Sequence, residues 1–233
     1  MPEIVSHQEW LDARKAHLED EKAFTRARDA LSARRRALPW ARVDEKYIFQ
    51  TGDGSKSLAE LFGPHRQLIV MHFMFGPDWQ EGCPSCSFWA DVYNGLDIHL
   101  AHRDTALVAV SNTSFEKIEA YKARMGWSIP WVSSQGSTFN RDFRVSFTED
   151  ELQNGTAIYN YRPSRFPSTE APGLSVFYKP DPETVAHTYS TYARGLDMMN
   201  AAYHLLDLTP KGRDEDGLDF KMAWLRRRDQ YND

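Results

Sequence analysis

The sequence predicts an α/β protein with a central mixed sheet flanked by helices. Two short apolar runs, 67–75 and 106–111, have the composition of strands that are buried on both faces. A helical pattern lies between them, and such a strand–helix–strand unit with short connections makes the two strands parallel. Two further strand patterns, 174–178 and 184–190, surround a turn rich in proline and predict an antiparallel hairpin.

The composition is that of a folded globular protein. The chain has 233 residues, 41% of them apolar, which is enough for a full hydrophobic core. Its net charge is −5 and no basic stripe dominates, so no nucleic-acid partner is expected, because phosphate binding needs clustered Lys and Arg. The sequence shows neither a secretory signal nor an apolar run long enough to span a membrane. We therefore expect a cytoplasmic protein without a membrane partner.

Residues 1–40 are predicted to form a helical extension. Ser6 and Glu9 have the spacing of a capping box, and the helical pattern that they begin continues to residue 36. Three apolar residues share one face of this helix: Phe24, Ala27 and Leu31. A one-sided apolar stripe suits either packing on the same chain or an arm that pairs two copies, so a homodimer through this helix is one of two expectations.

Residues 41–208 are predicted to form the main domain. A second capping box is expected at Thr113 with Glu116, and Gly126 is expected to end that helix. The polar stretch 135–170 is interpreted as an irregular insertion.

The end of the chain is predicted to be a helix followed by a tail. The last clear helical pattern covers residues 194–206. Residues 209–233 begin with a charged stretch that contains Gly and Pro, and we interpret the whole segment as a C-terminal tail.

The two cysteines of the chain form the motif Cys83-Pro84-Ser85-Cys86. It follows the strand 67–75 and a loop, and a helix is predicted to begin at or near Cys83. A helix N-terminus offers free N–H groups and a partial positive charge, which stabilise a thiolate. Cys83 is therefore predicted to attack a substrate, and Cys86, one turn further along, to resolve the mixed disulfide. A Cys pair at such a junction is typical of thioredoxin-like redox sites.

Pro172 stands directly before the strand 174–178, where thioredoxin-fold proteins carry a cis-proline that faces the Cys pair. We expect Pro172 to be cis and to shape a substrate groove; the alternative is an ordinary trans proline at a strand start. Trp79, in the loop before the motif, is a second candidate groove residue that covers the sulfur pair. Its alternative role is to fill the underside of that loop.

Zinc binding is the alternative chemistry for the cysteines. His99 and His102 follow them at nearly the spacing of a zinc finger, with two intervening residues instead of the usual three to five. Residues 87–100 are predicted to be one continuous helix, which would place His99 roughly 24 Å along the axis from Cys83. Because zinc ligands all lie about 2 Å from the metal, no zinc is expected. No other cofactor is expected either.

Several stretches across nearly the whole chain carry a resemblance to a known family. They are 9–11, 36–40, Met71-His72-Phe73-Met74-Phe75-Gly76-Pro77-Asp78-Trp79, Gly82-Cys83-Pro84-Ser85-Cys86-Ser87-Phe88, 121–122, 125–127, 139–143, 188–197 and 206–213. In them the chain resembles the bacterial thioredoxin-like family known as domain of unknown function 899. The resemblance implies the thioredoxin fold and no established reaction. Some members carry labels such as dithiol–disulfide isomerase that are inferred from the fold.

A more distant resemblance is to the peroxiredoxins, in Ser57-Leu58 and in the stretches 130–134 and 142–145. Peroxiredoxins have Thr or Ser three residues before the reactive Cys, whereas Gln80 holds that position relative to Cys83. The sequence thus predicts a thiol–disulfide oxidoreductase acting on an unknown protein or small-molecule disulfide or peroxide. A thiol-dependent peroxidase and a non-catalytic binding module on the same scaffold are the alternatives.

Overall fold

The central element of the structure is an eight-stranded mixed sheet. The protein is described by a computed structural model over residues 3–231. The α-helices are α1 (His7–Arg36), α2 (Pro84–Tyr93), α3 (Asp97–Ala101), α4 (Phe115–Met125), α5 (Phe139–Asp142), α6 (Glu149–Asn154) and α7 (Ala201–Asp207). The strands are β1 (Ala41–Arg42), β2 (Ile48–Thr51), β3 (Gly54–Ser57), β4 (Gln67–His72), β5 (Thr105–Ser111), β6 (Trp131–Ser133), β7 (Ile158–Tyr159), β8 (Arg162–Pro163), β9 (Gly173–Tyr178) and β10 (Ala186–Tyr192). Two 3-10 helices cover Glu60–Phe62 and Ala193–Met199.

The strand order of the sheet is β1-β10-β9-β4-β5-β6-β2-β3. Strand β5 is parallel to both β4 and β6, whereas β9 is antiparallel to both β4 and β10. The predicted parallel pair and the predicted hairpin are both confirmed. With α2 following the central strand β4, the arrangement is that of a thioredoxin-like α/β fold.

Side chains of β4 alternate between two hydrophobic clusters on opposite faces of the sheet, as the pleat requires. Met71, together with the following Phe73, belongs to the cluster that contains Cys86 of α2. Leu68 and Val70 belong to the cluster on the other face. Both faces are covered, which explains why β4 is a nearly continuous apolar run in the sequence.

Helix α1 belongs to a unit that separates from the rest of the chain between Trp40 and Ala41. Its predicted start is confirmed: Ser6 and Glu9 form a complete capping box. All of its residues are described, and none of them is buried. Pairing of two copies through this helix stays a prediction.

The helix after β5 begins one residue later than predicted. Its N-cap is Ser114, whose hydroxyl accepts a hydrogen bond from the Lys117 amide at 3.4 Å. Thr113 is fully buried, and its carbonyl oxygen accepts a hydrogen bond from the Ser133 hydroxyl, so it belongs to the packed end of the sheet. Gly126 ends α4 in the left-handed conformation, as predicted.

The continuous helix predicted for residues 87–100 is wrong. Helix α2 ends at Tyr93, and α3 begins at Asp97. Gly95 has φ +87°, which is incompatible with a helix, and the Asn94 side chain accepts a hydrogen bond from the Ser128 amide at 2.7 Å. The separation of His99 from Cys83 is therefore not set by a continuous helix. Within residues 3–231, however, no three His, Cys, Asp or Glu side chains are grouped to hold a metal ion.

The helix predicted for residues 194–206 is also interrupted. The 3-10 helix Ala193–Met199 ends at Asn200, and the Asn200 side chain then caps α7 by accepting hydrogen bonds from two main-chain amides, at 3.0 and 3.2 Å. A capping residue inside a helical pattern divides that pattern in two. No described helix has the length and apolarity needed to cross a membrane.

The stretch 135–170 is more ordered than its polar sequence suggests. It contains α5, α6 and the two-stranded β7–β8 ribbon. Val145, Phe147 and Tyr159 form a small hydrophobic cluster with Tyr192 of β10. The insertion therefore has a core of its own that is continuous with the main sheet.

Candidate functional site

Cys83 is the N-cap of α2, and Pro84 occupies the first turn of that helix, as the sequence predicts. The Cys83 carbonyl oxygen accepts hydrogen bonds from the amide and the hydroxyl of Ser87, at 3.0 and 2.9 Å. The Cys83 side chain is partly exposed, whereas Cys86 is buried, with 3% of its surface accessible. Burial thus distinguishes an outer cysteine from an inner one.

The main chain of Met74, two residues past the end of β4, holds both cysteines. Its carbonyl oxygen accepts a hydrogen bond from the Cys83 amide at 3.0 Å, and its own amide donates to Cys86 Sγ at 3.4 Å. The backbone that follows β4 therefore contacts both cysteines.

The two thiols differ in acidity. The pKa of Cys83 is lowered to about 7, above all by a hydrogen bond from the Cys86 thiol and, after that, by hydrogen bonds from the Ser85–Cys86 region, against the opposing effect of burial. Burial raises the pKa of Cys86 well above its usual value, and its hydrogen bond to Cys83 raises it further. At neutral pH, Cys83 is the thiol that ionises, and Cys86 remains protonated.

The loop before the motif is packed too tightly for a side chain at Gly82. A Cβ atom there would lie 2.7 Å from the Phe73 ring and 2.8 Å from the Tyr121 ring. The Gly82 carbonyl oxygen accepts two hydrogen bonds from the Arg227 guanidinium, at 3.0 and 2.7 Å. A residue from near the end of the chain thus supports the approach to Cys83.

Trp79 lies in the same loop, partly buried against the cluster that contains Cys86. Lys117 Nζ donates hydrogen bonds to the carbonyl oxygens of Pro77 and Trp79, at 2.6 and 3.1 Å, and these bonds hold the loop on α4. Trp79 is not among the residues that line the cavity described next. Its predicted role in a groove stays a prediction.

A cavity of about 410 Å³ opens beside the Cys pair, and both Cys83 and Cys86 line it. Pro172 and Gly173, the first residue of β9, also line it, so the structure brings Pro172 and the cysteines to one cavity. Other parts of its wall come from β4, α2, β9 and the insertion, and from the 3-10 helix Ala193–Met199, α7 and the segment 213–222.

The expected cis conformation of Pro172 is wrong, because no peptide bond in the part of the chain that the structure describes is cis. The trans form is the intrinsically preferred one, by about 0.5–1 kcal/mol. It is also fixed by its neighbours here. The Ala171 amide donates to the Val145 carbonyl oxygen at 2.8 Å, and the Pro172 carbonyl oxygen accepts from the Tyr159 hydroxyl at 2.8 Å.

A buried chain of hydrogen bonds begins at His72, another residue of the cavity wall. His72 Nε2 lies 2.7 Å from the Ser175 hydroxyl, which lies 2.7 Å from the Ser190 hydroxyl; this in turn lies 2.7 Å from His187 Nε2. His187 Nε2 also lies 3.1 Å from the Tyr189 carbonyl oxygen, which can only accept.

The direction of that chain follows from its last link. His187 Nε2 must carry a proton to bond the Tyr189 carbonyl oxygen, so the serine hydroxyls donate toward His72, and His72 Nε2 accepts. His72 Nδ1 then carries the ring proton. Burial lowers the pKa of His72 to about 3, so the ring is neutral at physiological pH.

The sequence did not single out the contribution of the C-terminal tail. Glu215 and Met222 line the cavity. The buried Glu215 carboxylate accepts hydrogen bonds from the Tyr203 hydroxyl at 2.8 Å and from Trp224 Nε1 at 2.7 Å. The tail has no helical or strand periodicity, so only the stretch 206–213, quoted above for its family resemblance, pointed to this region.

Comparison with known proteins gives a family and a set of weak structural likenesses. The family model described as "Bacterial protein of unknown function (DUF899)" matches residues 1–231. A search of curated proteins gave no match.

Three solved structures illustrate the structural likeness. The PrxQ mutant of Xylella fastidiosa has 12% identity and a TM-score of 0.46, and the similarity covers 72% of this chain and 96% of that one. The peroxidoxin BcpB of Mycobacterium tuberculosis has 14% identity and a TM-score of 0.46, and the similarity covers 68% of this chain and 90% of that one. A hypothetical protein of Sinorhizobium meliloti has 13% identity and a TM-score of 0.43, and the similarity covers 71% of this chain and 82% of that one.

Proposed function

Since the chain belongs to the bacterial family of unknown function DUF899, whose description names no reaction, we propose from the geometry of its Cys pair that the protein is a thiol–disulfide oxidoreductase. The observation that carries the proposal is the pairing of a partly exposed Cys83 at a helix N-terminus, where the pKa of its thiol is lowered to about 7, with a buried Cys86 three residues further along the chain. This arrangement supplies one thiolate and one protected thiol at the same site.

The proposed reaction transfers two electrons to a disulfide substrate. The Cys83 thiolate attacks one substrate sulfur, the substrate S–S bond breaks, and one half leaves as a thiolate. The other half remains as a mixed disulfide on Cys83. Cys86 then attacks Cys83 Sγ, its proton passes to the departing second thiolate, and the Cys83–Cys86 disulfide forms. A small thiol or a dithiol donor returns the pair to its reduced form.

The backbone around the pair supports the order of these steps. Cys86 is held by the Met74 amide and shielded from solvent, so it does not compete with Cys83 for the substrate. Once Cys83 carries a substituent, its thiolate charge is gone. The coulombic effect that raises the pKa of Cys86 then disappears, and the inner thiol ionises more readily.

The proposal is tested by trapping the mixed disulfide. The reduced protein is mixed with hydroxyethyl disulfide, and the products are identified by intact mass. The wild type is expected to end with an internal disulfide, and Cys86→Ala with a stable Cys83 adduct. The matched control Cys83→Ala should form the adduct at least about tenfold more slowly, because its remaining thiol is buried and protonated.

Two outcomes would replace the proposal. If Cys83 stays inert toward every disulfide offered, the site is not an oxidoreductase, and a binding module on this scaffold becomes the better description. If reduced protein consumes peroxide much faster than free cysteine does while disulfides stay untouched, the pair is a peroxidase.

A further inference from the structure

Building on the proposed oxidoreductase function, we propose that the cavity beside the Cys pair binds the substrate, and that this substrate is a neutral, low-molecular-weight disulfide with an aromatic or aliphatic body. The inference rests on the volume of the cavity, the chemistry of its wall, the pairing of the charges at its rim, and one unpartnered hydroxyl.

The cavity has the size and lining of a small-molecule site. Its volume of about 410 Å³ falls within the roughly 300–1,000 Å³ range of ligand pockets. The lining is mainly apolar and aromatic; it includes Trp89, Tyr159, Phe166, Leu174, Leu196 and Met222. A protein disulfide, in contrast, would meet Cys83 through an extended surface, and most of this wall would stay unused.

Each cationic side chain at the cavity is paired with a carboxylate. Arg213 pairs with Asp197 at 2.8 Å and with Asp207 at 2.7 Å, and Arg194 shares Asp197 at 3.0 Å. Lys221 pairs with Asp216 at 2.6 Å. An anionic ligand such as glutathione disulfide would have to break these pairs to gain a cation of its own, so a neutral ligand is favoured.

Two polar groups of cavity-lining residues have no hydrogen-bond partner among the described residues: the Tyr93 hydroxyl and His72 Nδ1. Both atoms are buried. Tyr93 lines the cavity together with Cys86 and Trp89, which precede it on α2 at helical spacing. A buried hydroxyl without a partner is unfavourable, and an oxygen or nitrogen acceptor on the bound molecule would satisfy it.

In this binding mode the aromatic or aliphatic body of the substrate lies against the apolar wall of the cavity, and its disulfide lies next to Cys83. The Cys83 thiolate bonds to the nearer sulfur, the farther half leaves as a thiolate, and the retained half stays in the cavity as a mixed disulfide. Cys86 displaces it, as in the proposed reaction, and the Cys86 proton leaves on the released thiol. Atoms and electrons balance without a further reactant.

The test uses dithiodipyridine, a neutral aromatic disulfide with ring-nitrogen acceptors, and its unreactive analogue bis(pyridyl)ethane, in which two methylene groups replace the sulfurs. The analogue is expected to protect Cys83 of the wild type from alkylation by iodoacetamide in a saturable manner. Dithiodipyridine should react with saturation kinetics, whereas glutathione disulfide should not saturate.

Variants that reduce the volume of the cavity from two sides test whether the ligand binds there. Leu196→Trp and Met222→Trp are expected to weaken protection by the analogue about tenfold, because added volume displaces the ligand. Tyr93→Phe should weaken it by a smaller factor, because only the hydroxyl is lost. Leu205→Trp is the matched control: Leu205 is 65% exposed on α7 and does not line the cavity, so protection should be unchanged. Circular dichroism and thermal unfolding verify that each variant folds.

The outcomes distinguish this inference from the proposed function. If Cys83 exchanges with hydroxyethyl disulfide but the analogue gives no protection, or if all three cavity variants behave like Leu205→Trp, the substrate inference is overturned and the oxidoreductase stands. If the analogue protects but Cys83 exchanges with no disulfide, the proposed function is overturned, and the substrate role of the cavity is overturned with it.

Discussion

The guanidinium of Arg227 donates two hydrogen bonds, at 3.0 and 2.7 Å, to the carbonyl oxygen of Gly82, the residue before Cys83. The same group donates to the Tyr121 hydroxyl at 3.0 Å and pairs with Glu81 at 2.8 Å. Arg227 thereby connects the C-terminal tail, the loop before Cys83 and α4 through one side chain.

Replacing Arg227 is expected to destabilise the protein. Arg227→Met should lower the free energy of unfolding by about 2–3 kcal/mol, because the partly buried acceptors on Gly82 and Glu81 lose a charged donor. Urea denaturation measures the change. Arg103→Met, which removes an exposed arginine, should change stability by less than about 0.5 kcal/mol. Equal effects of the two substitutions would contradict the role of Arg227.

The acidity of Cys83 is expected to depend on Cys86. Removing the thiol donor with Cys86→Ala should raise the pKa of Cys83 from about 7 toward its ordinary value of 9.0, because the hydrogen bond from Cys86 is the largest cause of the lowered pKa. Cys86→Ser keeps a donor and should raise it less. The rate of alkylation by iodoacetamide, followed across pH, gives both values. A Cys83 pKa that is the same in Cys86→Ala and wild type would refute this explanation.

The packing of the C-terminal tail on the rest of the domain is expected to depend on Glu215. Glu215→Ala removes the acceptor of the Tyr203 hydroxyl, of Trp224 Nε1 and of the Met222 amide, so this wall of the cavity should loosen. We expect a loss of about 1–3 kcal/mol in stability and faster cleavage of the tail in limited proteolysis. Glu215→Gln keeps one acceptor oxygen and should have a smaller effect. Unchanged cleavage in Glu215→Ala would show that other contacts hold the tail.

Glu170 is expected to make stability depend on pH. Its buried carboxyl accepts hydrogen bonds from Asn112, Asn140 and Ser146, but burial outweighs these bonds and raises its pKa from 4.5 to about 7. A raised pKa in the folded state means that the folded protein holds the proton more tightly. The contribution to stability is therefore complete below pH 4.5 and is lost as pH rises through 7.

The comparison of wild type with Glu170→Gln isolates this effect. Between pH 4.5 and 7 the wild type should lose about 3 kcal/mol of unfolding free energy relative to the variant, which has no proton to lose. Denaturation at a series of pH values measures the difference. Glu183→Gln, at an exposed position, should follow the wild type at every pH. A difference that does not change with pH would exclude a buried proton on Glu170.

His72 is expected to stay neutral across the physiological range. Its pKa is lowered to about 3, first by burial and then by electrostatic repulsion from His187, and the chain of hydrogen bonds through Ser175 and Ser190 assigns the ring proton to Nδ1. Nitrogen NMR of the labelled rings should show one Nδ1–H histidine that does not titrate near neutral pH, and its signal should disappear in His72→Asn. Titration of this ring near 6.5 would contradict both the burial and the chain of hydrogen bonds.

Local patterns were sufficient where short-range physics decides the structure. The capping box of α1, the Gly126 helix end and the apolar runs of β4 and β5 each depend on a few neighbouring residues, and each prediction was confirmed. The position of Cys83 at the start of α2 followed from the order strand, loop and helix. The thioredoxin-like fold and the place of the Cys pair could thus be predicted from the sequence.

The contacts between residues that are distant in the sequence were decided by the tertiary structure alone. The Asn94 and Asn200 breaks occur where each side chain binds main-chain groups that a helical pattern does not reveal. The cavity wall from the tail and the contact of Arg227 with Gly82 join positions more than 100 residues apart. The residues of these contacts become neighbours only when the chain packs around the sheet. The periodicity of the sequence does not predict such long-range contacts. The sequence by itself determined which residues are the candidates for redox chemistry, and the tertiary structure decided what surrounds them.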